Sequence, residues 1–200
     1  MAVKTFVVQS NMEPLAKSVR SYVEGLLSQL GHPGHYVEVH MFPTRNAVKT
    51  ALLRELGQLE IATGVAVPDF ATFHEAFAGY PRIWISSEDA DLRNPISRAR
   101  LQHEVGHAAL HWEISAYLLG VPPSLRAAVE AGKMTPSDAS AISYMVSIGV
   151  KDLEVSTLLD RSGIREDQQV FYLQELGKPE QGIEGTFSAL NELKVIMGAY

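Results

Sequence analysis

The stretch from Ile96 to about Leu119 constrains this chain more than any other. Read as a helix, it puts Leu101, Val105, Ala108 and Trp112 on one apolar face while Ile96, Leu110 and Ile114 flank the other side. A helix that is apolar on both sides is central rather than solvated. Asn94-Pro95 supplies its N-cap and first-turn proline. Through its middle runs His103-Glu104-Val105-Gly106-His107, an HExxH sequence. At about 100° per residue the two histidines lie about 40° apart on one face and one turn apart in height. Neutral imidazoles on a buried face need partners. Both rings can reach a single ion at the bond length of about 2.0–2.1 Å that zinc prefers. Glu104 is turned by about 100° from His103, beside such an ion rather than on it. A carboxylate there is placed to take a proton from a water acidified by the metal.

The rest of the chain reads as α+β. Val3–Val8, Tyr36–Phe42 and Arg82–Ser86 have the composition of strands, forming a small, mostly antiparallel N-terminal sheet. A helix capped at Ser10 or Asn11 runs to about Leu30, and Pro43-Thr44 opens another that runs to about Ile61. Gly64–Pro68 is expected as loop or short strand. Phe70, Phe73 and Phe77 have helical spacing, so Asp69–Ala78 is expected as a short helix. Past residue 94 helices dominate: Ser124–Ala131, a helix from Thr135 broken near Gly149 and resuming over Asp152–Arg161, then Glu166–Leu176 and Thr186–Met197. The 200 residues suit a single domain, with possible lobes over 1–119 and 120–200.

Composition narrows the chemistry. There is no cysteine, which excludes disulfides, a thiol nucleophile, cysteine-ligated zinc and iron–sulfur clusters. Any transition metal must be held by His, Asp or Glu. Dispersed Lys and Arg within a net charge of −6 give no footprint for nucleic acid. No apolar run approaches the roughly 18 residues that span a bilayer, and Met1–Ser10 lacks a signal-peptide core. The expectation is a cytoplasmic protein that acts on neither nucleic acid nor membrane.

HEVGH on a buried helix, preceded by the edge-type strand Arg82–Ser86, resembles the zincin metallopeptidases over about Tyr80–Gly163. The resemblance implies a zinc-dependent hydrolase acting on a peptide or protein substrate, with Glu104 as general base and the strand bordering an extended substrate. It also implies a third protein ligand. The metzincin pattern would require Gly at 110 and His at 113, where this chain has Leu110 and Glu113. The gluzincin branch draws a Glu from a later helix, and Glu154 fits best, with Glu130 and Asp152 as alternatives. Asp152 follows the Gly149 break and suits an N-cap, or a place behind a metal-bound histidine. The acidic residue that usually follows the gluzincin ligand by four positions is Leu158 here. His111 stands about 6 Å along the axis from His107 and is expected on the helix surface or behind the metal.

Zinc peptidases usually add a donor that stabilises the oxyanion. Tyr144 is the foremost candidate, with His74, Tyr80, Arg126 and Arg161 behind it. His32, His35 and His40 read as turn and strand residues. Two other readings stay open: a zinc-binding, non-catalytic regulatory or interaction module on the same scaffold, and a metal-free helical protein.

Overall fold

The computed structural model describes residues 2–7, 10–31, 36–61, 70–118 and 120–176. The chain is mixed α and β. Strand β1 (Ala2–Val7) leads through a 3-10 turn into helix α1 (Glu13–Gln29), and β2 (Tyr36–Phe42) is followed by α2 (Arg45–Gln58). Two short strands, β3 (Thr72–Glu75) and β4 (Arg82–Ser86), precede α3 (Pro95–Leu110). A 3-10 turn at Ile114–Tyr117 and helices α4 (Pro123–Glu130), α5 (Pro136–Arg161) and α6 (Glu166–Leu176) complete the described residues. Thr186–Met197 and Gly64–Pro68, expected as a helix and a loop or strand, lie outside them.

The sheet order is β1-β2-β4-β3. β1 and β2 run parallel, with Val3 opposite Val37; β2 and β4 run parallel, with Val39 opposite Ile83. Only β3 is antiparallel, pairing His74 with Ile83. The sheet is therefore mixed rather than mostly antiparallel. Antiparallel neighbours can be joined by a tight hairpin, whereas parallel ones need a long crossover, and α1 supplies one between β1 and β2.

The edge strand is a second correction. β4 is interior, with all five residues buried between β2 and β3. The edge beside α3 is β3, in the segment expected as a helix. Aromatic residues favour strands as readily as they fill a helical stripe. Here Phe73 and Glu75 point to the α2 side of the sheet, while Thr72 and His74 point to the α3 side.

Alternation of this kind builds two cores. Val37, Val39, Met41, Ile83 and Ile85 pack with α1 and with Leu101, Val105 and Ala108 of α3. Trp84 packs on the other face with Val48, Leu52 and Leu56 of α2.

Two helix boundaries differ from expectation and matter for the site. α3 begins as expected, Asn94 accepting from Ile96 N–H at 2.9 Å, but it ends at Leu110. His111 closes it in a non-helical conformation, its N–H donating to the His107 carbonyl at 2.7 Å. The chain then turns and brings Tyr117 back to β3. α5 does not break at Gly149. It runs unbroken for 26 residues from a capping box formed by Thr135 and Asp138. One interior glycine costs a helix about 1 kcal/mol relative to alanine, too little to stop it.

Candidate metal centre

The centre is assembled from α3 and α5, and a glycine sets how closely they approach. A Cβ on Gly106 would lie 2.6 Å from Val155 Cγ1, so only glycine lets the two helices meet there. Val155, at that contact, and Leu159, one turn further along α5, are fully buried. Asp152 stands one turn before Val155 on the same face, so the packing that buries Val155 carries Asp152 to the histidines.

His103 Nε2 and His107 Nε2 lie 3.1 Å apart, and Asp152 Oδ1 is 3.3 Å from the first and 3.2 Å from the second. Among the described residues this is the one group of His, Asp or Glu side chains with three ligand atoms within 4.8 Å of one another. Burial opposes a proton on His103, but the Asp152 hydrogen bond and the Glu104 charge outweigh it and raise its pKa above the ordinary value. Burial likewise opposes ionisation of Asp152. The two histidines beside it prevail and hold its carboxyl below the usual carboxylate range.

The carboxylate that meets the histidine pair is thus Asp152, and Glu154 does not join the group. Two positions along a helix turn the side chain by about 200°. Glu154 Oε2 reaches His111 Nε2 instead, at 3.0 Å. His111 Nδ1 in turn lies 3.0 Å from His107 Nδ1, so the cap of α3 links Glu154 to the far side of a candidate ligand. Glu130 sits at the exposed end of α4, outside the group.

Glu104 points away from the three ligand atoms, as its place in the helix requires. Its Oε1 accepts from Thr72 Oγ1 of β3 at 3.0 Å. It opens with His103 and Asp152 onto a cavity of about 430 Å³, bordered by the β3 edge at Phe70–Thr72 and by Phe171 of α6.

Beside the histidines lies a polar pair of which only one member was anticipated. Tyr117 Oη and His74 Nδ1 are 2.6 Å apart, and the His74 ring stacks alongside His107 with centroids 6.0 Å apart. Burial, reinforced by the nearby histidines and Lys151, pulls the His74 pKa well below its ordinary value and keeps the ring neutral. Burial, with Glu75 and Glu104 nearby, pushes Tyr117 upward. Lys151 lies 4.2 Å over the Tyr117 ring. Tyr117 escaped the sequence reading because it falls inside a segment expected to be helical.

Of the other candidate donors, Tyr144 is half-buried two turns before Asp152, its pKa raised by burial and then by the Asp152 charge. Tyr80 packs edge-on against Tyr36, and Arg126 and Arg161 are exposed. His40 is a strand residue stacked between Phe6 and Trp84, and His32 and His35 lie outside the described residues.

No protein-family model, curated protein or solved structure matches the chain. No helix among the described residues is long and apolar enough to cross a membrane.

Proposed function

We propose that this protein is a zinc-dependent hydrolase of zincin type that cleaves peptide bonds, with His103, His107 and Asp152 as the metal ligands and Glu104 as general base. The spacing of the three ligand atoms carries the reading. A tetrahedral ion with bonds of about 2.0–2.1 Å separates its ligand atoms by about 3.3–3.4 Å, and here they stand 3.1, 3.2 and 3.3 Å apart. The two-histidine, one-carboxylate set is also the donor chemistry of catalytic zinc, leaving a coordination position open.

Bound zinc supplies Lewis acidity and lowers the pKa of a coordinated water to about 7. The chain's own groups do the rest. Glu104 is held by Thr72 at the cavity wall, where its carboxylate takes up the proton released by the attacking water and returns it to the leaving amine. Thr72 belongs to the edge strand, so the residue that orients the base also borders the path of an extended chain. Phe70 and Phe171 offer apolar walls to a substrate side chain. The His74–Tyr117 pair supports the same reading as a neutral, buried donor system beside His107.

Metal content by mass spectrometry, followed by hydrolysis of a mixed peptide library, tests this reading. One zinc per chain is expected, lost in Asp152→Ala. Glu104→Gln should retain zinc and lose about 10²–10⁴-fold in rate, the range for a general acid–base group. Zinc with no hydrolysis of any peptide would favour a non-catalytic module. No zinc in any preparation would end the metal reading.

A further inference from the structure

Glu154 and His111 lie outside the three ligand atoms, yet they form an unbroken hydrogen-bonded line to one of them. Glu154 Oε2 is 3.0 Å from His111 Nε2, and His111 Nδ1 is 3.0 Å from His107 Nδ1. The opposite nitrogen, His107 Nε2, is the one that faces His103 and Asp152. The relay has a direction, because its outer end cannot donate.

A carboxylate offers only acceptors, so the His111 nitrogen facing Glu154 carries the hydrogen. In a neutral ring the other nitrogen then holds a lone pair. His111 is 7% exposed, and its neutral form therefore turns a lone pair, not an N–H, toward His107. His107 must therefore supply the hydrogen between the two Nδ1 atoms. A neutral His107 with its hydrogen on Nδ1 leaves Nε2 bare. We infer that Glu154, acting through His111, locks His107 in the Nδ1–H tautomer that presents the Nε2 lone pair to the metal.

The inference rests on the zinc reading above for its purpose but not for its chemistry, since the tautomer is fixed in the metal-free protein. Ligating histidines commonly donate their second N–H directly to a carboxylate or a carbonyl. Here a second histidine is interposed, which lets a carboxylate on α5 orient a ring on α3 from its far side. Both are positioning residues. The same helix thus delivers one carboxylate to the front of His107 and another, two residues later, to its back.

Long-range ¹H–¹⁵N correlation spectra of histidine-labelled, chelator-treated full-length protein read the tautomer directly. Wild type should show His107 protonated at Nδ1 and His111 at Nε2. Glu154 has a side chain 57% exposed, so its replacement should leave the fold intact. Glu154→Ala should mix the tautomers of both rings and weaken zinc binding by about 10–100-fold, the range for losing an outer partner of a metal ligand. Glu154→Gln, whose carbonyl oxygen can still accept, should keep the wild-type tautomers and most of the affinity.

His107 protonated at Nε2 in the wild type would overturn the lock. So would spectra unchanged in Glu154→Ala, or a Gln variant as disordered in tautomer as Ala. If the tautomers respond as described while wild type binds no zinc, the lock stands and the zinc reading alone fails.

Discussion

β3 separates two polar clusters of opposite character. On the α2 side, fully buried Glu75 accepts from Arg82 Nε, from Trp84 Nε1 at 3.0 Å and from the Phe77 N–H at 2.6 Å, while Arg82 Nη1 donates to Glu55 at 2.7 Å. On the α3 side, His103, His107 and Asp152 bring three ligand atoms together with Thr72 and His74 at their flank. In the first cluster both oxygens of Glu75 meet donors. In the second, His103 shares a hydrogen bond with Asp152, yet on the tautomer argued above His107 Nε2 and Asp152 Oδ1 face each other without a hydrogen between them. The first cluster holds the fold together; the second leaves two acceptors facing each other where the proposed zinc would bind. Alternate residues of one four-residue strand serve both.

Breaking the matched cluster should have the largest effect. Glu75→Ala leaves the Arg82 charge, 5% exposed, with Glu55 as its remaining ionic partner. Removing one member of a buried pair costs about 3–5 kcal/mol. The lower end is expected here because Glu55 stays. Urea unfolding should show that loss, while the folded fraction keeps its zinc. A Glu75→Ala variant that unfolds like wild type would remove the contrast.

Asp152→Ala should do the converse. Its side chain is 45% exposed, so its solvent-screened contacts with the histidines should contribute no more than about 1 kcal/mol to the metal-free fold. Zinc affinity should fall by more than the roughly 100-fold that an outer partner can account for. Competition with a chelator measures one quantity and urea unfolding of the metal-free protein the other. A variant that loses stability but not zinc would place Asp152 in the structural class.

The third difference is in pH. The raised pKa of His103 means that a proton must leave before the ring can bind metal. Zinc affinity should therefore fall by about tenfold per pH unit below that pKa, or about 1.4 kcal/mol. The metal-free fold should respond with the opposite sign. A pKa raised on folding contributes stability that is complete below the unfolded value of about 6.5 and is lost as pH rises through the folded value. Asp152, lowered on folding, contributes above about pH 3.9 and loses that contribution in acid. Chelator-buffered zinc titrations between about pH 5.5 and 8, with unfolding curves of metal-free protein over the same window, test both signs.

Much of this arrangement was legible because its signals are local. β2 and β4 appear over the expected residues, and α3 starts at the expected cap. The histidine pair and Glu104 sit within five residues on one helix. The carboxylate was harder, since the choice between Asp152 and Glu154 depends on whether the helix continues through Gly149. Treated as an N-cap, Asp152 would spend its oxygens on backbone; inside an unbroken α5 it is free to face α3. β3 was hidden because its aromatic spacing satisfies a helix as well as a strand, and only pairing with β4 decides. Tyr117 reaches His74 through a turn at His111 that no glycine or proline announces. Gly106 lies within the motif, yet its role depends on Val155, 49 residues later.

That last pair supplies the finest test of how the metal side is held. In an exposed helix Gly106→Ala would gain about 1 kcal/mol of propensity. Here the new methyl meets Val155 Cγ1 at 2.6 Å, and a valine in a helix has essentially one comfortable rotamer. Overpacking of this kind costs about 1–3 kcal/mol, so the net loss should be about 1 kcal/mol. Relief by outward movement of α5 would carry Asp152 away from the histidines, so zinc affinity should fall even where stability changes little. Val155→Ala removes the clashing atom. The double variant should therefore bind zinc more tightly than Gly106→Ala alone, although Val155→Ala by itself leaves a cavity and destabilises the fold. A double-mutant cycle read on zinc affinity isolates that coupling. Simple additivity would show that Gly106 does not set the distance between the histidines and Asp152.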